Sequence, residues 1–413
     1  MSYAKSVFFI PVWFDQFTPF TKAMKESPLW TPTDSKKVWA RYLYHYAANL
    51  NKNQKLFASF TLKDPSALNI YMFRKELAID RAPTIDEVRF SCFSTDVGFM
   101  EFWVSYSDMT LEDVCNFSYE FKKAKHNKAK GSDQQTLYDA AKGLIPAGCN
   151  TTLFFSTSAW FKYECNCFHF LHLDQDLPDE ETRKATLFRL SRSYRCDMPV
   201  SNESAYDMLY EAGIGDYWSG CSAGLANVVY DFRSEPGDKS DYYLHNLKPQ
   251  SLETDYYFMY LLLLNQKYSA IEYIRKVSES LDSNTKAVEA LNRRIVMLKN
   301  TFSFNVVSDD SIVQNIYSKM YSVLEIRNLL EDVIENEAQM ELLQKAKHMQ
   351  DDRLSNKYLL GISLLSLFSA LIDAAAFFDR VGGTQPVATI LSIACVVGVI
   401  ILSVTMAIQN GRK

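Results

Sequence analysis

The sequence lacks a surplus of basic residues, a paired cysteine pattern and a secretory signal. Its 413 residues contain 44 lysines and arginines against 49 aspartates and glutamates, which gives a formal net charge of −5. This balance gives no general electrostatic reason to expect direct binding to DNA or RNA. The eight cysteines have no paired spacing, and the N-terminus has no basic stretch followed by a long apolar one. We therefore expect reduced thiols in a cytoplasmic domain.

Signatures of catalysis are missing as well. The chain contains no P-loop, HExxH, GxSxG or kinase motif. Its Gly213-Ile214-Gly215 turn lacks the third glycine of a dinucleotide fingerprint. The sequence therefore predicts that the protein is not an enzyme and has no catalytic residues.

Cys165, Cys167 and His169 form the one pattern that suggests a metal site. On a strand the three side chains point to one face, but successive ones lie about 6.6 Å apart. A zinc ion holds its ligands at about 2.0–2.3 Å and cannot readily take all three. We expect no metal site here, and two buried cysteines that serve as small apolar side chains.

Proline is absent between Pro249 and Pro386, and apolar residues in that stretch recur at helical spacing. The first 235 residues instead alternate between strand-like and helical segments, which is typical of an α/β or α+β domain. From Ser311 onward we expect one long stalk helix that runs to the membrane. The sequence thus predicts a cytoplasmic α/β domain over 1–235 as candidate ligand sensor, a helical hairpin and stalk over 236–357, and a transmembrane hairpin over 358–413.

Two short segments within residues 1–235 predict specific local structures. The stretch Val88–Tyr106 predicts a β-hairpin whose turn lies at Thr95–Gly98. Thr110, followed by Glu112 and Asp113, predicts the N-terminal cap of a helix, because the hydroxyl accepts from a free backbone amide and the carboxylates suit the helix dipole.

Two long apolar runs occupy the C-terminal part, over 358–378 and 387–408. Each has about 21 residues, which at about 1.5 Å per residue matches a hydrocarbon core of about 30 Å. Basic residues flank the outer ends of the pair and predict that both termini are cytoplasmic. The expected location is the bacterial inner (cytoplasmic) membrane, as a multi-pass protein. The alternative is a pair of buried core helices in a soluble protein.

Polar residues mark one face of the first run. Ser363, Ser366, Ser369 and Asp373 fall on one side of a helix, and a carboxylate within a membrane segment is a functional candidate. Copies around an axis would form serine rings and an acidic ring that favours cations, so the four residues are predicted to line a pore. The alternative is that the serines bond to carbonyls of their own helix and Asp373 lies near the outer interface.

A cluster of arginines offers a weaker candidate site for a ligand. Arg189 and Arg192 are neighbours on a predicted helix, and Arg195 follows it. Together they can bind a phosphate-bearing ligand. The alternative is a solvated helix face.

The order of these parts resembles the CorA superfamily. Members of that superfamily have an N-terminal α/β domain, a helical stalk that enters the first span, and a second span near the C-terminus. The stretch DDRLSNKYLLGISLLSLFSALI is similar to their junction between stalk and membrane. The resemblance implies a homopentamer in membrane lipid, with the first span lining the pore.

The Gly-Met-Asn signature of the magnesium-transporting members is absent, and the corresponding place carries AAAFFDRVGG. The resemblance therefore implies an oligomeric channel or effector gated by a ligand at the N-terminal domain. Similar divergent members occur beside type III CRISPR systems, which implies a nucleotide second messenger and antiviral defence. The alternatives are a transporter of Mg, Zn, Ni or Co cations with another filter, and a membrane-anchored enzyme or scaffold. No cofactor is expected beyond a divalent cation or nucleotide ligand.

Overall fold

A computed structural model describes most of the first 335 residues and isolated positions beyond them. The described residues are 3–34, 42–70, 83–125, 134–154, 163–174, 177–201, 209–213, 215–230, 242–280, 285–335, 338–339, 342, 359, 361–363, 366 and 369. By their contacts, Met1–Glu337 form one compact unit and Ala338–Lys413 a second. The predicted boundaries at residues 235 and 357 stay a prediction.

A mixed sheet of ten described strands organises the first unit, which confirms the α/β part of the predicted fold. The strand order is β2-β3-β4-β5-β1-β7-β10-β9-β8, and β6 pairs with β1 beyond the end of β7. Neighbours are antiparallel except for β7 and β10, which run parallel. The strands are β1 (Tyr3–Phe14), β2 (Trp30–Pro32), β3 (Phe57–Leu62), β4 (Thr84–Phe93), β5 (Val97–Ser105), β6 (Thr151–Leu153), β7 (Asn166–Leu173), β8 (Leu209–Gly213), β9 (Asp216–Cys221) and β10 (Gly224–Tyr230).

Helices and single helical turns accompany the sheet. The α-helices are α1 (Phe17–Glu26), α2 (His45–Ala48), α3 (Leu111–Phe121), α4 (Leu137–Leu144), α5 (Glu180–Arg192), α6 (Lys248–Ser251), α7 (Tyr257–Ser280), α8 (Thr285–Met297) and α9 (Ser311–Val323). Short 3₁₀ turns cover Asn49–Lys52 and Pro65–Ala67, and π-helical turns cover Tyr243–Leu247, Leu252–Tyr256 and Leu298–Phe302.

Strand β1 lies at the centre because both of its faces are apolar. Side chains of successive strand residues point to opposite faces, so Phe8 packs edge-on against Phe121 of α3 at 4.8 Å between ring centroids. Its neighbour Phe9 packs against Tyr260 of α7 at 5.4 Å on the opposite face. A strand covered on both faces is expected to be a nearly continuous apolar run. The sheet is therefore the middle layer between helices.

Pro11 is tolerated within β1 because its nitrogen, which carries no hydrogen, faces the gap between the ends of β7 and β6. Pairing with β7 runs as far as Phe9, and pairing with β6 begins at Val12. Proline is accepted in a sheet only where no ladder hydrogen bond needs its nitrogen. Its carbonyl still accepts from the Phe154 N–H at 2.7 Å.

The predicted hairpin and helix cap are confirmed. Strands β4 and β5 pair in antiparallel register from Thr84 opposite Ser105 to Cys92 opposite Gly98. The Thr110 hydroxyl accepts from the Asp113 N–H at 3.2 Å, and the Asp113 carboxylate accepts from the Thr110 N–H at 2.9 Å. This reciprocal capping box starts α3.

The turn of that hairpin is fastened to two helices by one carboxylate. Asp96 has a left-handed backbone (φ 64°), accepts from the Phe17 N–H of α1 at 2.8 Å and pairs with Arg294 of α8 at 2.7 Å. Burial raises the pKa of Asp96 to about 6 although Arg294 opposes the shift. The ionised form is therefore less well accommodated in the folded state than in the unfolded one.

We expect Asp96→Asn to flatten the dependence of stability on pH. A folded pKa above the unfolded value of 3.8 gives stability that is fully present below pH 3.8 and is lost as the pH rises through about 6. At about 1.4 kcal/mol per pKa unit the wild-type loss attributable to this group is about 3 kcal/mol. Asparagine tolerates the same left-handed backbone. Urea unfolding of both proteins between pH 4 and pH 7 measures this, and equal slopes in the two proteins contradict it.

The predicted stalk helix begins at the expected residue, but it is not continuous. Helix α9 begins at Ser311, where Asp310 caps it, but it ends at Val323, and Glu325 has a left-handed backbone (φ 56°). Leu324 and Ile326 on either side of this turn are both buried. The helix is therefore interrupted at this turn and residues 326–335 are helical again, so the described residues after Ser311 do not form one continuous helix.

The membrane-spanning part of the prediction is corrected as well. A spanning helix needs about 20 consecutive, mostly apolar residues, and no helix among the described residues is both long and apolar enough to cross a membrane. On this finding the two transmembrane helices of the predicted fold class, the classification as a membrane protein and the inner-membrane localisation are wrong. Most of 358–378 and all of 387–408 lie outside the described residues.

Candidate functional site

Two cavities are candidates for a functional site, and the first is formed where α4 meets β6. It has a volume of about 650 Å³ and is lined by Tyr138 and Lys142 of α4, the stretch 145–154, and Tyr163. We call it the Tyr163 cavity. Thr136 caps α4 by accepting from the Asp139 N–H at 3.0 Å. The cavity size falls in the range of about 300–1,000 Å³ that is usual for small-molecule sites.

Three aromatic rings that line the Tyr163 cavity pack together: Tyr138 and Phe154 are nearly parallel at 24°, and Tyr163 stands edge-on to both. The Tyr163 ring meets Tyr138 at 5.1 Å and Phe154 at 5.7 Å between centroids, both edge to face. The Lys125 ammonium lies 3.6 Å from the Tyr163 ring centroid and 4.4 Å from that of Tyr138. A cation this close to two ring faces is attracted by both, so the positive charge of Lys125 is held beside two rings that line the cavity, although Lys125 is not itself a lining residue.

Two of these rings are carried by strained backbone. Phe154 and Tyr163 have φ angles of 55° and 69°, a region that bulky residues rarely adopt and that costs about 1–3 kcal/mol each. Hydrogen bonds hold both residues: the Phe154 N–H donates to Pro11 at 2.7 Å, and the Tyr163 carbonyl accepts from the Ala124 N–H at 2.9 Å. Strain of this kind is concentrated at functional sites.

The second cavity lies at one end of the strand order, where β8, β9 and β10 meet the π-helical turns and α9. Its volume is about 430 Å³, and we call it the Tyr243 cavity. π-Helical turns are rare and are frequently found at functional sites, and residues of both Tyr243–Leu247 and Leu252–Tyr256 line this cavity. The lining residues are Tyr42, Ala212, Gly213, Asp216, Val229, Tyr230, Tyr243, Leu244, Lys248, Ser251, Tyr256, Asp310, Ile312 and Val313.

A buried ion pair forms the floor of the Tyr243 cavity. The Lys248 side chain, only 4% exposed, pairs with the Asp216 carboxylate. The ammonium also lies 5.3 Å from the Trp218 ring centroid and 5.2 Å from that of Tyr256. Asn227 donates its side-chain amide to Asp216 at 2.6 Å. Buried charges persist when they are paired and hydrogen-bonded in this way.

Negative charge extends from this floor toward solvent. Burial raises the pKa of Tyr243, and the charges of Asp216 and Asp310 and the Tyr42 phenol raise it further. The pKa of Tyr256 is raised by burial and by Asp216, among other groups. Both phenols are therefore neutral, and their surroundings disfavour additional negative charge.

The three arginines predicted to bind a phosphate are not among the residues that line either cavity. The Arg189 guanidinium donates to the Met198 carbonyl at 3.0 Å. That of Arg192 lies 3.9 Å from the Phe188 ring centroid, and Arg195 pairs with Asp197 at 3.1 Å. Their role in ligand binding stays a prediction.

Three of the four predicted pore-lining residues are described. The Ser363 hydroxyl donates to the Leu359 carbonyl at 2.7 Å, and the Ser366 hydroxyl donates to the Ser363 carbonyl at 2.9 Å. Ser369 is an exposed helical residue, and Asp373 lies outside the described residues. Pore lining, channel or transport activity, the homopentamer and contact with lipid stay predictions.

The predicted burial of Cys165 and Cys167 is confirmed, since both lie in the core. His169, also buried, has its ring nitrogens 2.6 Å from the Ser6 hydroxyl and 3.0 Å from the Ser193 hydroxyl. Burial, and to a lesser degree Lys122, lowers the pKa of His169 to about 3. The histidine is therefore a neutral residue of the core.

Sequence reasoning missed the residues of both cavities. Lys125 lies in a basic stretch that suggests a solvated loop, and tyrosines such as Tyr138 and Tyr243 are difficult to distinguish from core residues by spacing. The available signal is composition, since 24 of the 413 residues are tyrosine, and tyrosine combines an apolar ring with a polar tip suited to a half-exposed wall.

The resemblance to the CorA superfamily stays a prediction. Comparison of the chain with protein-family models, with curated proteins and with solved structures finds no match in any of the three.

Proposed function

We propose that this protein is a ligand-binding sensor, not an enzyme, and that the Tyr163 cavity binds an anionic ligand with a planar aromatic group. A nucleotide second messenger, the ligand class that the resemblance implies, has this chemistry. The base stacks on the Tyr138 or Tyr163 ring, and the phosphate pairs with Lys125 and Lys142. The observation that carries the proposal is the Lys125 ammonium 3.6 Å from the centroid of the Tyr163 ring, a ring that lines the cavity together with Lys142.

The charges of the cavity support an anion. The residues that line it include one lysine and no aspartate or glutamate, and Lys125 adds a second positive charge at its wall. The Asn150 amide, which donates to Asp15 at 2.9 Å, fastens the lining loop to the end of β1. A rigid aromatic wall with two ammonium groups matches a ligand in which a flat ring and a negative group lie close together.

The protonated state of the Cys149 thiol favours a binding role of the Tyr163 cavity over a catalytic one. Cys149 supplies the thiol among the lining residues, and burial raises its pKa. The thiolate is the reactive form of cysteine, so a raised pKa makes this thiol a poor nucleophile. The lining residues also include no histidine that would serve as its base.

The proposal is tested by titrating the full chain with adenosine monophosphate and following heat. We expect Lys142→Met to weaken binding about tenfold and Lys125→Met with Lys142→Met to weaken it about a hundredfold, since charge-assisted contacts to phosphate are worth about 1.5–3 kcal/mol each. Lys55→Met, which removes an exposed lysine before β3, is the matched control and is expected to bind like the wild type.

Two further substitutions separate stacking from charge. Tyr138→Phe keeps the ring and is expected to bind within about twofold of the wild type, whereas Tyr138→Leu loses about tenfold, because stacking of a base is worth about 1–3 kcal/mol. Equal affinities of the double lysine variant and the Lys55→Met control would contradict the proposed site.

A further inference from the structure

The Tyr243 cavity has a chemistry opposite to that of the Tyr163 cavity, and nothing in the proposed function uses it. Its lining contains four tyrosines and two carboxylates against one lysine. Aromatic ring faces carry negative charge density, and carboxylates carry a full charge, so both attract cations. The lining therefore disfavours the phosphate group and favours a ligand of positive charge.

The floor of this cavity already binds one ammonium group, that of Lys248. The Lys248 ammonium is paired with Asp216 and lies within 5.3 Å of the Trp218 and Tyr256 ring centroids. An ammonium between ring faces with a carboxylate beside it is the arrangement that binds organic cations in aromatic cages. Lys248 thus fills the inner half of the cavity with the same kind of group.

The outer half repeats these elements and is open to solvent. Tyr42 and Tyr243 are 42% and 47% exposed, and Asp310, which caps α9 by accepting from the Ile312 N–H at 2.8 Å, is exposed beside them. Asp310 and Asp216 both raise the pKa of Tyr243 through their charge, in addition to the larger effect of burial. Two accessible rings and an accessible carboxylate therefore share one negative field.

We propose that the outer half of the Tyr243 cavity binds a small organic cation, either a quaternary ammonium or a protonated amine. The cationic head lies against the Tyr42 and Tyr243 rings, and Asp310 balances its charge. The volume of about 430 Å³ admits a ligand of a few to a dozen heavy atoms while Lys248 keeps its place on the floor.

The test compares choline with its uncharged isostere 3,3-dimethylbutan-1-ol on the full chain by calorimetric titration. Because the two molecules have nearly the same shape, their difference reports charge alone. Choline is expected to bind at least about tenfold more tightly, which corresponds to about 1.4 kcal/mol. Equal affinities, or no binding of choline at millimolar concentration, would overturn the proposal.

Three variants at two positions locate the site without disturbing the fold. Asp310→Asn removes the charge and keeps a residue that caps helices equally well, and is expected to weaken choline binding about fivefold. Tyr243→Leu is expected to lose about tenfold, whereas Tyr243→Phe keeps the ring face and stays within about twofold. If Asp310→Asn and Tyr243→Leu both bind choline like the wild type, the cation lies elsewhere and the assignment fails.

Discussion

Replacing Gly224 with alanine is expected to lower the free energy of unfolding by about 3 kcal/mol, at the upper end of the usual cost of overpacking. A Cβ atom at this position would lie 2.5 Å from the Ser191 carbonyl oxygen and 2.7 Å from that of Cys167. Both obstacles are backbone atoms, one in α5 and one in β7, so neither moves without shifting an element. Gly224 starts β10, the strand that pairs with β7 on one side and β9 on the other.

Gly143 offers the matched control. It lies near the end of α4, and a Cβ atom there would meet nothing within 4 Å. Gly143→Ala is expected to leave stability unchanged or raise it by up to about 1 kcal/mol, because alanine is the better helix former. Urea unfolding of both variants measures the difference. A Gly224→Ala midpoint equal to that of Gly143→Ala would show that α5 does not approach the sheet this closely.

Replacing Glu101 with alanine is the second large effect, with an expected loss of about 3 kcal/mol. Glu101 is completely buried between the sheet and α7. Its carboxylate accepts from the Tyr257 hydroxyl at 2.6 Å, and buried Arg89 lies with its guanidinium 4.1 Å from the Trp103 ring centroid. Removing the carboxylate takes away the acceptor of the Tyr257 hydroxyl proton and one of the negative charges beside Arg89. The carboxylate of Glu87 still pairs with Arg89 at 2.9 Å.

Glu101→Gln separates the hydrogen bond from the charge. Glutamine keeps an acceptor for Tyr257, so we expect a loss of about 1 kcal/mol, close to that of a single weakened hydrogen bond. Burial raises the pKa of Glu101 despite the charge of Arg89. The ionised side chain is thus partly destabilised by burial, so we expect only a small difference in stability between the wild type and the Glu101→Gln variant. Thermal unfolding of the three proteins ranks them, and a Glu101→Ala variant as stable as Glu101→Gln would contradict the role of this acceptor.

The elements that sequence alone predicts are those decided by neighbours along the chain. The hairpin of β4 and β5 follows from alternation around a short turn, and the start of α3 follows from Thr110 and Asp113, three residues apart. The α/β class follows from the change of hydrophobic period. For the hairpin and the helix cap, a segment of fewer than about twenty residues contains the whole signal.

The remaining features depend on contacts between residues far apart in sequence. The Tyr163 cavity needs Lys125, Tyr138 and Tyr163 to meet, and the Tyr243 cavity joins Tyr42 to Asp310. Periodicity assigns such residues to a core or to a surface and cannot place them at the wall of a cavity. The turn at Glu325 is similar: the helical spacing of apolar residues after Ser311 predicts one continuous helix, whereas a left-handed residue at Glu325 interrupts it.

The central claim is that the Tyr163 cavity binds an anion joined to a flat ring. The most direct measurement is a calorimetric titration of the full chain with the four common nucleoside monophosphates, each beside its uncharged nucleoside. The proposal predicts saturable binding of at least one monophosphate, at least about tenfold tighter than its nucleoside, and lost in the variant that carries Lys125→Met and Lys142→Met. Binding of none of the four, or equal binding of nucleotide and nucleoside, would contradict it.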